Sequence, residues 1–209
     1  MKKFGFTLAE VLVTLGIIGV VSAITLPTLM SNTTDAQIGP KLAKAVSAFE
    51  QANEALLNDK SSDTLTDARL LTSTQNYINE LSRFMKITST GNNTFISKDG
   101  FEYTLSANLA NTPPNNPQAP AYQQRISTSD VIIDIDGPNA GRDQAATDLF
   151  YFTFWNDGSL RPYGGTNYLG TNNASNWQTF CPIGPTPNNA DLRMCAGHIF
   201  ENNLKVLYK

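Results

Sequence analysis

The pattern of hydrophobic positions divides the chain into three parts. An almost continuous apolar run covers the 21 residues from Phe6 to Leu26, close to the roughly 20 that a helix needs to cross a membrane. From Lys41 to Leu57 the apolar positions recur at helical spacing on one face, which predicts an amphipathic helix. Beyond residue 60, helical and alternating patterns are mixed with polar stretches. We therefore expect a long N-terminal helix followed by a head.

Two prolines lie within the helical region. Pro27 lacks a backbone N–H, so we expect a kink or local melting of the helix there. Gly39-Pro40 is expected to bend or interrupt the helix, because a residue before proline disfavours the α conformation. If the helix were unbroken, the 52 residues from Phe6 to Leu57 would extend roughly 78 Å.

The first part of the head is predicted to contain helices and a hairpin. Thr64 to Lys86 reads as one or two helices with a shared buried side, formed by Leu70, Leu71, Tyr77, Ile78, Leu81 and Phe84 or Met85. Thr94–Ile96 and Phe101–Leu105 alternate in polarity and flank Asp99-Gly100, a dipeptide typical of hairpin turns.

Strand patterns dominate the rest of the head. Asp130 to Asp136 alternates acidic and β-branched residues, and Phe150 to Trp155 is an aromatic run that turns at Asn156-Asp157-Gly158. Two short apolar runs between His198 and Leu207 predict a closing hairpin around Asn202-Asn203. Together with the N-terminal helix, these elements predict an α+β fold with a C-terminal antiparallel sheet.

Composition and charge narrow the classes of function. The net charge of -3 and the absence of a dense Lys/Arg cluster beyond the N-terminus give no electrostatic footprint for nucleic acid. Only 16% of residues are charged, below the usual quarter, which suits an exported protein. The single histidine, His198, forms an HxxE pattern with Glu201, and no GxSxG or HExxH occurs. We therefore expect no enzyme.

The charges that flank the apolar run orient it. Lys2 and Lys3 precede the run without an acidic residue between them, so the positive-inside rule places the N-terminus in the cytoplasm and the head outside. A cleaved secretory signal is the alternative, because Val21-Ser22-Ala23 resembles a signal-peptidase site. The apolar run continues past Ala23, which favours a retained anchor.

Glu10 is the one acidic residue in the apolar run. A carboxylate near the middle of a bilayer costs on the order of 3 kcal/mol, and such residues usually have a partner or a function. The alternative is that Glu10 lies near the interface and reaches water.

Gly16, Gly19 and Ala23 share one helix face, which favours close helix packing, although glycine is also common in membrane helices.

Residues 1–30 resemble the N-terminal segment of type IV prepilins and type II secretion pseudopilins. The family pattern is a basic leader ending in Gly, a Phe that becomes the new N-terminus, and a Glu as the fifth residue after the cut. Here Lys2-Lys3-Phe4-Gly5 precedes Phe6, and Glu10 keeps the register. The resemblance implies cleavage after Gly5 by a prepilin peptidase, N-methylation of Phe6, and pairing of Glu10 with the terminal amine of a neighbouring subunit.

The resemblance also implies a division of the chain and a function. Residues 1–5 would be a removed leader, 6–29 a transmembrane and polymerisation helix, and 30–209 an extracytoplasmic pilin-like head. The protein would be a structural subunit that assembles into a helical fibre with the inner-membrane machinery of a pilus or secretion system. One alternative is a pseudopilin that drives protein export. An alternative of another class is a single-span, membrane-anchored extracytoplasmic binding domain.

An acidic stretch around residue 140 predicts either a calcium site or an ordinary turn. Its candidate ligands are Asp134, Asp136, Asp143 and Asp148, hard oxygen donors of the kind that calcium prefers. The spacing is not that of an EF-hand, and turns capped by their own Asp and Asn side chains explain the same composition. Some pseudopilins bind calcium in a C-terminal loop, which is a resemblance in kind. No other cofactor is expected.

Cys181 and Cys195, the only cysteines, lie in a Pro/Gly/Asn-rich stretch without zinc-site spacing. Outside the cytoplasm we expect them to form a disulfide, with two buried thiols as the alternative. Such a bridge is similar to the C-terminal disulfide loop of many pilins.

Four aromatic residues precede the first cysteine. They are expected either to form a contact patch for other molecules or to pack a long loop onto the sheet: Tyr163, Tyr168, Trp177 and Phe180.

Overall fold

The computed structural model describes residues 7–106, 109, 125–138, 148–163, 181, 193 and 195–205. The chain divides into two compact units, Met1–Gln37 and Ile38–Lys209. The first unit contains the beginning of the N-terminal helix, and the second contains its end together with the sheet. The functional boundary predicted between residues 29 and 30 stays a prediction.

The long N-terminal helix, α1 (Leu8–Asp59), is helical along its whole length. The local melting expected at Pro27 and the interruption expected at Gly39-Pro40 are therefore wrong. The kink and the bend that were expected as their alternatives stay predictions. A proline removes one bond of the helical ladder and leaves the bonds on either side in place. Before Pro40 stands a glycine, which lacks the Cβ that usually clashes with a following proline ring. The neighbouring Ile38 is buried, so packing also holds this turn.

Two short helices follow α1 and confirm the helical character predicted before residue 86. One is a single 3-10 turn, Leu70–Thr72, and the other is α2 (Thr74–Leu81). The side chain of Ser73 caps α2 by accepting the N–H of Asn76 at 3.0 Å. The apolar side of α2 is buried as predicted.

Within the described residues, six antiparallel strands form one sheet in sequence order, which confirms the α+β prediction. Gly100 in the predicted hairpin and Gly158 in the predicted turn both have positive φ, at 89° and 84°, a conformation that glycine adopts without strain. The strands are β1 (Ile87–Thr90), β2 (Thr94–Ser97), β3 (Glu102–Leu105), β4 (Arg125–Asp134), β5 (Leu149–Trp155) and β6 (Leu160–Pro162).

The core lies between the second half of α1 and one face of the sheet. Alternate residues of β3, β4 and β5 point into it, because successive side chains of a strand face opposite ways. Phe49 of α1 is fully buried and meets Tyr103 and Phe154 at ring-centroid distances of 5.7 and 5.5 Å. Polar bonds add to this packing: the Tyr103 hydroxyl donates to the Ala45 carbonyl at 3.0 Å.

The C-terminal hairpin predicted for His198–Leu207 is wrong, because an α-helix, α3 (Cys195–Glu201), occupies its first part. Cys195, Ala196 and Ile199 are buried at helical spacing. The Asn202-Asn203 pair ends this helix instead of turning a hairpin. Asn203 has a φ of 54°, and the N–H of the next residue donates to the Ile199 carbonyl at 2.9 Å, a usual way to close a helix.

The predicted disulfide between Cys181 and Cys195 is present, with a Cα–Cα distance of 5.2 Å. Both cysteines are buried in the core. The bridge therefore ties residue 181 to the first turn of α3, and the alternative of two buried thiols is excluded.

Candidate functional site

The first half of α1 exposes an apolar surface of unusual extent. Ten large apolar side chains are exposed in the described part of this segment, from 43% at Val11 to 80% at Leu8: Leu8, Val11, Leu12, Val13, Leu15, Ile17, Ile18, Val20, Val21 and Ile24. Contiguous apolar surfaces of this kind mark contacts with a partner or a membrane. By the criteria of length and hydropathy, no helix in the described residues is a candidate for crossing a membrane.

Glu10 lies in the first turn of α1 and forms a reciprocal cap with Thr7. One carboxylate oxygen, Oε2, accepts the Thr7 backbone N–H at 2.8 Å and the Thr7 hydroxyl at 2.9 Å. The Glu10 N–H donates to the Thr7 hydroxyl oxygen at 3.2 Å. This is a capping box, in which two N–H groups at the start of a helix find partners in each other's side chains. The motif fixes where α1 begins.

Thr7 is a residue of the site that the sequence analysis missed. Its signal was present, since Thr7 and Glu10 form the T-x-x-E pattern that precedes apolar helices. The role predicted for Glu10 rested only on the cost of its charge in lipid. The structure shows that the same carboxylate also organises the helix start.

Gly16 and Gly19 lie on the exposed half of α1, where the subunit itself does not require them. A Cβ built at either position would meet nothing within 4 Å. A glycine inside a helix costs up to about 1 kcal/mol relative to alanine. Packing within the described chain gives no reason for that cost.

Comparison with protein families tests the first 26 residues, including Gly5 and Phe6, which lie outside the described residues. Residues 1–26 match the family model of the prokaryotic N-terminal methylation motif. The chain carries this methylation motif. The motif is the hallmark of type IV pilins and pseudopilins, so the predicted recognition is confirmed. No curated protein and no solved structure matches the chain.

The methylation motif supports a type IV pilin-like or pseudopilin protein. Proteins of this pilin type are structural subunits, and the motif is typical of membrane-anchored, pilin-like proteins. The individual roles predicted for Gly5, Phe6 and Glu10 stay predictions. They belong to the function proposed below.

The acidic stretch forms an Asx turn in its described part. Asp134 is buried, and its Oδ1 accepts the N–H groups of Asp136 and Gly137 at 3.0 and 2.9 Å. Partial burial, together with the nearby carboxyls of Asp134 and Asp148, raises the pKa of Asp136 to about 6, although Lys41 opposes this shift. This is the self-capped turn that was the alternative to a metal site.

The predicted calcium ligands are not brought together as a set by the described residues. Asp143 lies outside them, and no group of three or more His, Cys, Asp or Glu side chains in the described part is arranged to hold a metal ion. The calcium site therefore stays a prediction.

His198 and Glu201 lie on α3, and His198 is buried. Burial lowers the pKa of His198, while the nearby Glu201 carboxylate opposes the shift. A neutral, enclosed imidazole of this kind suits a structural role.

The aromatic patch predicted near the first cysteine is described at one of its residues. The ring of Tyr163 lies 6.3 Å from that of Tyr151 between centroids. The others, Tyr168, Trp177 and Phe180, lie outside the described residues.

Proposed function

We propose that the protein is the structural subunit of a type IV pilus-like or pseudopilus fibre. The precursor is anchored in the inner membrane by its N-terminal helix, with the head outside the cytoplasm. A prepilin peptidase cuts it after Gly5, Phe6 is N-methylated, and the cut subunits assemble through α1. The methylation motif of residues 1–26 is the observation that carries this proposal.

The exposed apolar half of α1 supports assembly through this helix. In a single subunit the large apolar side chains described between Leu8 and Ile24 are exposed, and an apolar helix surface of this kind needs lipid or protein around it. Lipid would cover it before assembly, and the same segment of other subunits would cover it afterwards. Gly16 and Gly19 would let those neighbouring helices approach closely.

The geometry of Glu10 is compatible with a second bond from a neighbouring subunit. Both bonds from Thr7 fall on Oε2, and a carboxylate offers about four acceptor positions. Oε1 therefore has capacity for the terminal ammonium of another subunit. In a setting of low dielectric this charge pair sets the register of assembly, because an unpaired carboxylate is costly there.

Substitutions at positions 7 and 10 separate the charge of Glu10 from its capping role. Glu10→Gln keeps an oxygen that can accept from Thr7 but removes the charge. Thr7→Ala removes the two bonds of the hydroxyl, keeps the backbone N–H bond to Glu10 and keeps the charge. We expect both Glu10→Gln and Glu10→Ala to insert into the membrane normally and to abolish fibres sheared from the cell surface. Thr7→Ala should keep most of the fibre yield.

Glu54→Ala is the matched control, because Glu54 is an exposed glutamate in the second half of the same helix. Normal fibre yield from both Glu10 variants would contradict the proposed pairing. If Glu10→Gln assembles but Glu10→Ala does not, Glu10 acts through the cap alone.

The methylation motif is shared by pilins and pseudopilins, so the two forms of the proposal need a cellular test. Deletion of the gene should remove surface fibres if the subunit builds a pilus. It should instead block the release of exported proteins if the subunit builds a pseudopilus.

A further inference from the structure

A groove in the head lies between the second half of α1, the segment after α2 and the β2–β3 turn. It has a volume of about 430 Å³, within the range of small-molecule sites. Its apolar lining comes from Ala48, Ala52, Phe84 and Met85. Met85 is almost fully buried, while Phe84 is half-buried. The groove belongs entirely to the second unit.

Two lysines line the same groove from adjacent backbone segments. The N–H of Lys98 donates to the carbonyl of Lys86 at 2.8 Å, and Ile87 pairs with Ser97 in the sheet. This register places the two exposed lysines side by side. Neither ammonium forms an ion pair with any described residue.

The other charges around the groove are already compensated. Asp99, which also lines it, is paired with Lys44 at 2.9 Å. The Arg83 guanidinium lies 5.3 Å from the Phe84 ring centroid and is paired with Asp59 and Glu80 at 3.0 and 3.1 Å. Lys86 and Lys98 thus give the groove two positive charges that no described carboxylate compensates.

We propose that this groove binds a small carboxylate with an apolar body. The apolar body would lie on Ala48, Ala52 and Phe84, since burying apolar surface is favourable. The carboxylate would accept from Lys86 and Lys98, as charge-assisted bonds are the stronger ones. The site does not depend on fibre assembly and would exist in the unassembled subunit.

Methionine-methyl NMR of the full chain in non-ionic micelles tests the site, with 2-naphthoate as the probe. The chain has four methionines, and Met85→Leu identifies the signal that reports from the groove. We expect a saturable shift of the Met85 signal. Lys86→Gln with Lys98→Gln should weaken binding by about threefold to fivefold, the effect of losing two exposed charge contacts.

Two controls make the result specific. Arg69→Gln with Lys205→Gln removes the same charge from exposed positions that do not line the groove, and this variant should bind 2-naphthoate as the wild type does. The neutral 2-naphthamide should bind to the wild type more weakly than 2-naphthoate does. It should bind equally well to the wild type and to the double lysine variant. Absence of a saturable Met85 shift, or equal binding of 2-naphthoate by the wild type and the double lysine variant, would overturn the proposal.

Discussion

Phe49 is expected to be the largest single contributor to the packing of α1 on the head. Its fully buried ring meets Phe154 at 5.5 Å, Tyr103 at 5.7 Å, and both Phe95 and Tyr77 at 6.5 Å between centroids. Truncation of a buried phenylalanine to alanine costs about 3–5 kcal/mol. Aromatic pairs add about 0.5–1.5 kcal/mol beyond area burial. For Phe49→Ala we therefore expect a loss of about 4 kcal/mol in the free energy of unfolding.

Chemical denaturation of the full chain in detergent, followed by near-ultraviolet circular dichroism, measures this loss. Phe49→Leu keeps most of the apolar volume and should lose less than half as much. The exposed control Glu54→Ala should stay within about 0.5 kcal/mol of the wild type. A loss below about 1 kcal/mol for Phe49→Ala would show that the second half of α1 is not part of the core of the head.

Three further predictions concern the head. The folded-state pKa of Asp136, about 6, lies above its ordinary value of 3.8, so stability from this group is present below pH 3.8 and is lost as the pH rises through about 6. At pH 7.5 the free energy of unfolding of Asp136→Asn should exceed that of the wild type by up to about 1 kcal/mol, after allowance for solvent screening. Near pH 4 the two should be equal. An equal gain at both pH values, or a gain from the exposed control Asp67→Asn, would refute the raised pKa as the cause. Cys181→Ala with Cys195→Ala should lower the free energy of unfolding by about 3 kcal/mol and abolish sensitivity to reductant, whereas a wild type that is insensitive to reductant would contradict the role of the bridge. If the self-capped turn is the correct reading of the acidic stretch, calcium and a chelator should give the same melting midpoint; a higher midpoint with calcium would favour the predicted calcium site instead.

Local signals predicted most of the elements correctly. Asp99-Gly100 and Asp157-Gly158 combine a turn residue with a glycine at positive φ, so the turn residues and the strand patterns beside them identified both hairpins. The helix at Cys195–Glu201 was missed because its pattern is only two turns long, and short apolar runs do not distinguish a helix from a strand. The αL conformation of Asn203 at its end fits a helix cap as well as a hairpin.

Features that depend on distant segments were beyond prediction from the sequence. Glu50 of α1 accepts the N–H of Leu160 at 2.9 Å across 110 positions of the chain, and no local pattern points to this bond. The pairing of Lys86 with Lys98 likewise follows from the β1–β2 register. By contrast, the cap formed by Thr7 and Glu10 is local and was readable from its T-x-x-E spacing.

Mass spectrometry of the N-terminal peptide, from protein purified out of cells that contain a prepilin peptidase, tests the central claim most directly. The proposed function predicts a chain that begins at Phe6 and carries one added methyl group on its amine. A chain that still begins at Met1, or one that begins after Ala23 as a cleaved secretory signal would leave it, would contradict the proposed processing and the fibre subunit built on it.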